Sequence, residues 1–388
     1  MIIENTIKLY ENDAYCRTFT SEVVSCTAND NGYDVVLRQT AFFPEGGGQK
    51  GDTGRLGDAV VTDTQISDGI IIHKTDKAFE TGCEVCGEID WDVRFSRMQN
   101  HSAEHIVSGI ANSMYGCVNV GFHLGNDGMI VDFDRKLTAD DIAKIELASN
   151  KAVFDNIEIT VMYPTKEEIP ALRYRSKLDI EENLRLVKIG DVDLCACCAP
   201  HVARTGEIGL IKITSHVAYK SGTRIEITAG YRALADYTLL NNENKLIMKQ
   251  LSAPREKTAE FVSRQLEQIT TVTREKQALV RELAMARLSI ETVGNNGYSF
   301  CEQCSFDDLR FCSNNIADKN VVTCVLLSET SENEYNYVVN SKENDVTALV
   351  KQLNASFNGK GGGKNGYAQG KLSGSRDEIE KMLKELLK

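Results

Sequence analysis

The sequence predicts an α+β chain built from four consecutive segments, and three observations carry that prediction. Short runs of β-branched and aromatic residues, separated by Gly, Asn and Asp clusters, fill residues 1–90. Helix-like and strand-like stretches then alternate over 91–235. Residues 236–297 are almost continuously helical in composition, and a mixed segment, 298–388, follows.

The elements follow in order. Glu22–Cys26, Tyr33–Leu37, Ala59–Thr62 and Gly69–His73 read as strands with no helical stretch between them, so a small β-barrel or sandwich is expected. Asn100–Tyr115 has helical spacing: Ile106, Val107 and Ile110 form an apolar stripe, and His101 and His105 lie one turn apart. Thr138–Phe154 reads as a second helix, and Ile157–Tyr163, Gly209–Thr214 and Arg224–Ala229 read as strands of an α+β layer. Pro254 interrupts the helical region. Ser252 is expected to cap, and Pro254 to sit in the first turn of, a longer helix carrying Val262, Leu266, Ile269, Val272, Leu279 and Leu283. Its partly heptad spacing suggests an antiparallel helical hairpin or short coiled coil. In the last segment Val321–Leu327 and Tyr335–Asn340 read as strands and Asp345–Phe357 as a helix. Gly359–Gly370 reads as a glycine-rich loop, and Ser375 with Glu378 as the capping box of a final helix that lines up Ile379, Met382, Leu383 and Leu386.

Composition excludes several function classes. The 388 residues carry 44 basic and 56 acidic side chains, a net charge of −12. That argues against non-specific coating of nucleic acid and leaves room for one RNA on a local patch. With 42% hydrophobic and 26% charged residues the chain is not mostly disordered. Its apolar runs fall short of the roughly 20 residues of a membrane-spanning helix. The opening MIIENTIKLYEND lacks the basic flank and long apolar run of a signal peptide. Twelve cysteines in such a chain read as reduced thiols, a few of them metal ligands, and a cytoplasmic location is expected.

The strongest chemical signal is split between two short segments. His101 and His105, at i and i+4 on a helix, share one face and reach one ion. Cys197-Cys198-Ala199-Pro200-His201 supplies a cysteine and a histidine four apart. Three nitrogens and one sulfur suit Zn2+. Spacing alone leaves Cys195, Cys197 and Cys198 open as the sulfur ligand. Glu104, just before the second histidine, reads as a supporting or solvent-facing group. The pairs Cys83/Cys86 and Cys301/Cys304 have ligand-like spacing but read as ordinary thiols: the first lies in a strand, and the second lacks a clear fourth ligand.

At this point the chain resembles a family. Thr40-Ala-Phe-Phe-Pro-Glu-Gly-Gly-Gly-Gln49 with Asp52-Thr-Gly54 is similar to the signature of the editing domain of alanyl-tRNA synthetase, which the freestanding alanyl-tRNA editing proteins (AlaX type) share. Ile89–Arg94, Met98–His105, Gly121–Gly125, Cys197-x-x-x-His201, Gly206–Gly209 and Gly222–Glu226 continue in family order. Gly361–Gly370 resembles the glycine-rich end of the synthetase's C-terminal domain, called DHHA1. The resemblance covers nearly the whole chain. It implies a long-form editing protein: a β-barrel-like domain with the glycine motif at 1–90, a zinc-binding editing domain at 91–235, a helical hairpin or coiled coil at 236–297 and a DHHA1-like α/β domain at 298–388.

The same resemblance implies hydrolysis of mischarged tRNA(Ala), chiefly the seryl and also the glycyl ester, with Zn2+ on His101, His105, Cys197 and His201. Thr40 matches the residue that senses the serine hydroxyl, and Gln49 closes the glycine motif. Gly46, Gly47 and Gly48 let backbone amides approach the terminal adenosine. Lys360 and Lys364, beside the glycine loop, meet phosphates. A homodimer through the C-terminal region, and no membrane, complete what it implies. The family has glycines where this chain has Cys198, Ala199 and Pro200. The need for such an enzyme is physical: size and polarity separate serine from alanine by only about 10²-fold in comparable pockets. Three rivals stand beside this reading. A complete synthetase has no room before Thr40, and a phosphoesterase needs an Asp-His-His motif that is missing. A non-catalytic tRNA-binding adaptor with a structural zinc stays open, because four protein ligands close a structural site.

Overall fold

The computed structural model describes residues 5–125, 128–176, 184–316 and 320–388. The chain divides into two compact units, Met1–Asn244 and Lys245–Lys388, and each is described by itself.

The N-terminal part of the first unit contains strands β1 (Thr18–Asn29), β2 (Gly32–Leu37), β3 (Gly54–Leu56), β4 (Ala59–Ser67), β5 (Ile70–Thr75) and β6 (Glu84–Ile89). They close into a barrel in the order β1-β2-β5-β4-β3-β6. Alternation explains the closure: along β6 every second residue is buried, so one face lines the interior. Phe19, Val23, Val35, Leu37, Phe42, Leu56 and Val61 fill it.

Helix α1 spans Trp91–Tyr115 and starts nine residues earlier than the apolar spacing suggests. The reason is a polar one. Asp90 caps the helix by accepting the Val93 N–H, and the first turns bury Arg94, whose Nε donates to Asp52 Oδ2 at 2.7 Å and whose Nη2 donates to the Ala41 carbonyl at 2.6 Å. An ion pair between two residues 42 apart leaves no periodic trace. Gly116, at φ = +65°, ends the helix in the left-handed conformation.

Strands β7 (Asn119–Leu124) and β8 (Met129–Phe133) follow, then α2 (Ala139–Phe154), capped by Thr138 and Asp141. A three-stranded antiparallel sheet contains β9 (Ile159–Met162), β10 (Leu186–Ile189) and β11 (Asp193–Ala196) in that order. Strands β12 (Ile211–Tyr219) and β13 (Gly222–Ala229) complete a four-stranded antiparallel sheet ordered β12-β13-β8-β7. The inner face of α1 meets Val131, Ile145, Ile211, Ile225 and Ile227 in one core.

Helix α3 (Tyr231–Leu251) runs past the division between the units. Its end corrects an expectation. Ser252 takes φ = +51° and does not cap the next helix, and Pro254 precedes a short 3₁₀ turn, Arg255–Lys257, before α4 (Thr258–Arg287) begins. A serine in the left-handed region closes the preceding helix instead of opening the next one.

In the second unit β14 (Glu291–Val293), β15 (Asn296–Cys301), β16 (Thr323–Ser331), β17 (Glu334–Ser341), β18 (Lys360–Lys364) and β19 (Tyr367–Ser373) form one sheet, ordered β14-β15-β16-β17-β19-β18. Helix α5 (Phe306–Asn314), which the sequence does not announce by length, packs Leu309 and Cys312 on one face. Helices α6 (Thr347–Ser356) and α7 (Arg376–Leu386) cover the other with Val350, Leu353, Ile379 and Leu383. The expected loop Gly359–Gly370 is instead the β18–β19 hairpin. Gly361 faces Gly370 across it, and a Cβ on Gly361 would lie 2.5 Å from the Tyr337 hydroxyl. The glycines admit close backbone packing in a strand, so they do not mark a loop here.

Candidate metal centre

Helix α1 and the segment after β11 bring four donors to one point. The Nε2 or Sγ atoms of His101, His105, Cys197 and His201 all lie within 4.8 Å of one another. Cys197 Sγ stands 3.5 Å from His101 Nε2 and 3.4 Å from His201 Nε2. A tetrahedral ion with ordinary zinc–nitrogen and zinc–sulfur bonds separates such atoms by about 3.5 Å. The residues present therefore fit a metal ion of that kind. Of the three cysteines that spacing left open, Cys197 joins the four; Cys195 stands with His105 and Asp193, and Cys198 is exposed.

Each ring is held by its other nitrogen. His101 Nδ1 donates to Gln49 Oε1 at 3.0 Å. His105 Nδ1 donates to Asp193 Oδ2 at 3.0 Å. His201 Nδ1 is hydrogen-bonded to Ser102 Oγ at 3.0 Å, and that oxygen also accepts the Val202 N–H. With each Nδ1 so engaged, the opposite nitrogen of each ring is left to the cluster, which is how metal-binding imidazoles are set. Asp193 is itself clamped by Arg175 through Nε at 2.6 Å and Nη2 at 2.8 Å.

The electrostatics favour the donor forms. Burial pushes the Cys197 thiol up, but His101 and His201 outweigh it and hold the sulfur well below the usual thiol range. Burial draws His201 down to about 3 against the opposing pull of Cys197. At His105 burial again favours the neutral ring, but the Asp193 and Cys197 contacts prevail and raise it, so an ion competes with a proton at its Nε2.

A cavity of about 740 Å³ opens beside the cluster. Gly47, Gly48, Glu104, Phe122, Tyr174 and Arg185 line it together with three of the donors, His101, His105 and Cys197. The glycine motif reaches it as a tight turn: Gly46 and Gln49 exchange two backbone hydrogen bonds of 3.0 Å. Gly48 has φ = +82°, and a Cβ there would meet Phe122 at 2.7 Å, so only glycine brings this turn against β7.

Thr40 lies elsewhere. It is fully buried in the barrel, where its hydroxyl donates to His73 Nε2 at 2.9 Å and accepts the Phe42 N–H at 3.1 Å. It is not among the residues that line the cavity. Gln49 does touch the cluster, through His101. Lys360 and Lys364 sit exposed on β18 in the second unit. Sequence reasoning missed Ser102, Asp193 and Arg175: Asp193 is 88 residues from His105, and no local pattern marks it. None of the twelve cysteines is in a disulfide, and no helix among the described residues is long and apolar enough to cross a membrane.

Comparison with known proteins adds family context. The family described as tRNA synthetases class II (A) matches residues 7–93. The Threonyl and Alanyl tRNA synthetase second additional domain matches 184–226, and the DHHA1 domain matches 295–388. The alanyl-tRNA editing protein AlaX-L of Pyrococcus horikoshii is 27% identical over 392 residues, 96% of this chain and 96% of its own. The alanyl-tRNA editing protein Aarsd1 of Danio rerio is 26% identical over 398 residues, 97% of this chain and 96% of its own. The alanine–tRNA ligase of Halorubrum lacusprofundi is 31% identical over 397 residues, 95% of this chain but 42% of its own. The chain is thus similar to whole editing proteins and to less than half of a ligase.

Proposed function

We propose that this protein, a member of the alanyl-tRNA editing family by its end-to-end match to editing proteins, is a trans-acting cytoplasmic hydrolase that deacylates tRNA(Ala) mischarged with serine or glycine. The observation that carries the reading is the convergence of three imidazole Nε2 atoms and one thiolate beside an open cavity. His101, His105, Cys197 and His201 would hold a zinc ion, which supplies Lewis acidity toward an ester carbonyl or a water. The chain's own part is positional. Gln49, Asp193 and Ser102 orient the rings, and the Gly47–Gly48 turn, with no side chains of its own, leaves space on the cavity wall for the terminal nucleotide. Choice of amino acid falls to groups on the cavity wall, since the Thr40 hydroxyl is committed inside the barrel.

In the second unit Lys360 and Lys364 on β18, with Lys371 opposite Lys360 on β19, offer a local cationic strip for phosphates on an otherwise acidic chain. The exposed Leu266, Ile269, Val272, Leu279 and Leu283 of α4 support self-association through a coiled coil. One observation favours the adaptor reading: four protein donors fill a tetrahedral shell, as in structural zinc sites.

A deacylation panel with seryl-, glycyl- and alanyl-tRNA(Ala) decides between them. We expect turnover of the first two and sparing of the third, with turnover and bound zinc both lost on chelation or in His105→Ala. Zinc retained without turnover of any ester would establish the adaptor.

A further inference from the structure

Glu104 is a carboxylate on the cavity wall for which the metal cluster has no use. The residue is only 5% exposed. Its Oε1 accepts two hydrogen bonds, from Ser108 Oγ at 2.5 Å and Asn119 Nδ2 at 2.5 Å. Those bonds occupy one oxygen and leave over the second, Oε2, of a residue that lines the cavity. Among the described residues Oε2 makes no hydrogen bond; it stands 3.9 Å from His105 Nε2, whose lone pair belongs to the donor cluster. A carboxylate on a cavity wall with no hydrogen-bond donor on one oxygen has an acceptor left for a cation that enters the cavity.

The ester that the hydrolase reading places in this cavity brings such a cation. Every aminoacyl ester of tRNA carries an α-ammonium group two bonds from the carbonyl carbon, whatever its side chain. We infer that Glu104 Oε2 anchors that α-ammonium group, so that the site takes esters of free amino acids and refuses those whose amino group is acylated. This inference rests on the hydrolase reading for its substrate. It also accounts for one wall group serving seryl and glycyl esters alike, because the contact does not involve the side chain.

The test uses the full chain loaded with zinc. One arm compares hydrolysis of seryl-tRNA(Ala) with N-acetyl-seryl-tRNA(Ala). The other measures binding of the non-hydrolysable 3′-seryl-amide of 3′-deoxyadenosine and of its N-acetyl form, in wild type and Glu104→Gln. The glutamine keeps an oxygen for Ser108 and Asn119. A charge-assisted hydrogen bond predicts about 10–100-fold preference for the free amine in both arms of the wild type. Glu104→Gln should bring that preference close to one, acting on KM and Kd with zinc content unchanged. Equal handling of free and acetylated forms by the wild type overturns the inference. So does a variant that loses kcat while keeping the preference, which makes Glu104 a handler of water, or one that loses zinc, which makes it a ligand. Should neither ester be cleaved, the hydrolase reading fails, and the amide arm still decides for or against the anchor.

Discussion

The barrel core around His73 and the donor cluster of His101, His105 and His201 are two imidazole settings in the same unit, and they differ in what becomes of the second ring nitrogen. In both, Nδ1 has a fixed partner: the Val35 carbonyl at 3.1 Å for His73, and Gln49, Asp193 and Ser102 for the three histidines of the cluster. His73 Nε2 then accepts the Thr40 hydroxyl and is finished. In the cluster the histidine nitrogens gather with Cys197 Sγ, all four donor atoms within 4.8 Å of one another. Burial is nearly the same in the two places, His73 at 0% and His105 at 2% exposed. The unfilled acceptor capacity, and not burial, separates a ligand site from a satisfied core.

The largest effect that sharpens this contrast is one of pH. Burial lowers His73 to about 4, from an ordinary value of 6.5. The neutral ring belongs to the fold, so between those values the unfolded chain binds the extra proton. Stability therefore falls as the pH drops from about 6.5 to about 4, by roughly 3 kcal/mol from this ring alone. Denaturant midpoints of wild type and His73→Gln across that range should converge as the pH falls. A constant difference would mean that His73 is not held neutral. Next in size, Asp193→Asn should weaken zinc binding by about 10–100-fold, read by competition with a chromogenic chelator. Undiminished affinity would show that packing alone orients His105. Smallest is Thr40→Val, which removes the donor to His73 and the acceptor of the Phe42 N–H. It should lower stability by roughly 1–2 kcal/mol while zinc affinity and the seryl-to-alanyl selectivity stay as they are. A change of selectivity would bring Thr40 back to the cavity.

What could be read along the chain was whatever repeats or caps locally. The β-branched and aromatic run Tyr33–Leu37, the Ser375 cap, and the i, i+4 pair His101 and His105 are each contained within a turn or two of backbone. Helix α1 began early, and Gly359–Gly370 became a hairpin, because the deciding contacts come from far away in sequence: Asp52 for Arg94, and the Tyr337 hydroxyl under Gly361 and Gly370.

The candidate site divides the same way. Residue types and spacing by themselves determined which side chains are fit to hold an ion and which segments carry them. Only the tertiary structure decided that Cys197 and not Cys195 or Cys198 meets the histidines, that Asp193 and Ser102 turn the rings, and that Thr40 faces the barrel instead of the cavity. Donor chemistry is a property of single residues, whereas the direction of a lone pair depends on the partner of the opposite ring nitrogen, and folding brings that partner from as far as 99 residues away.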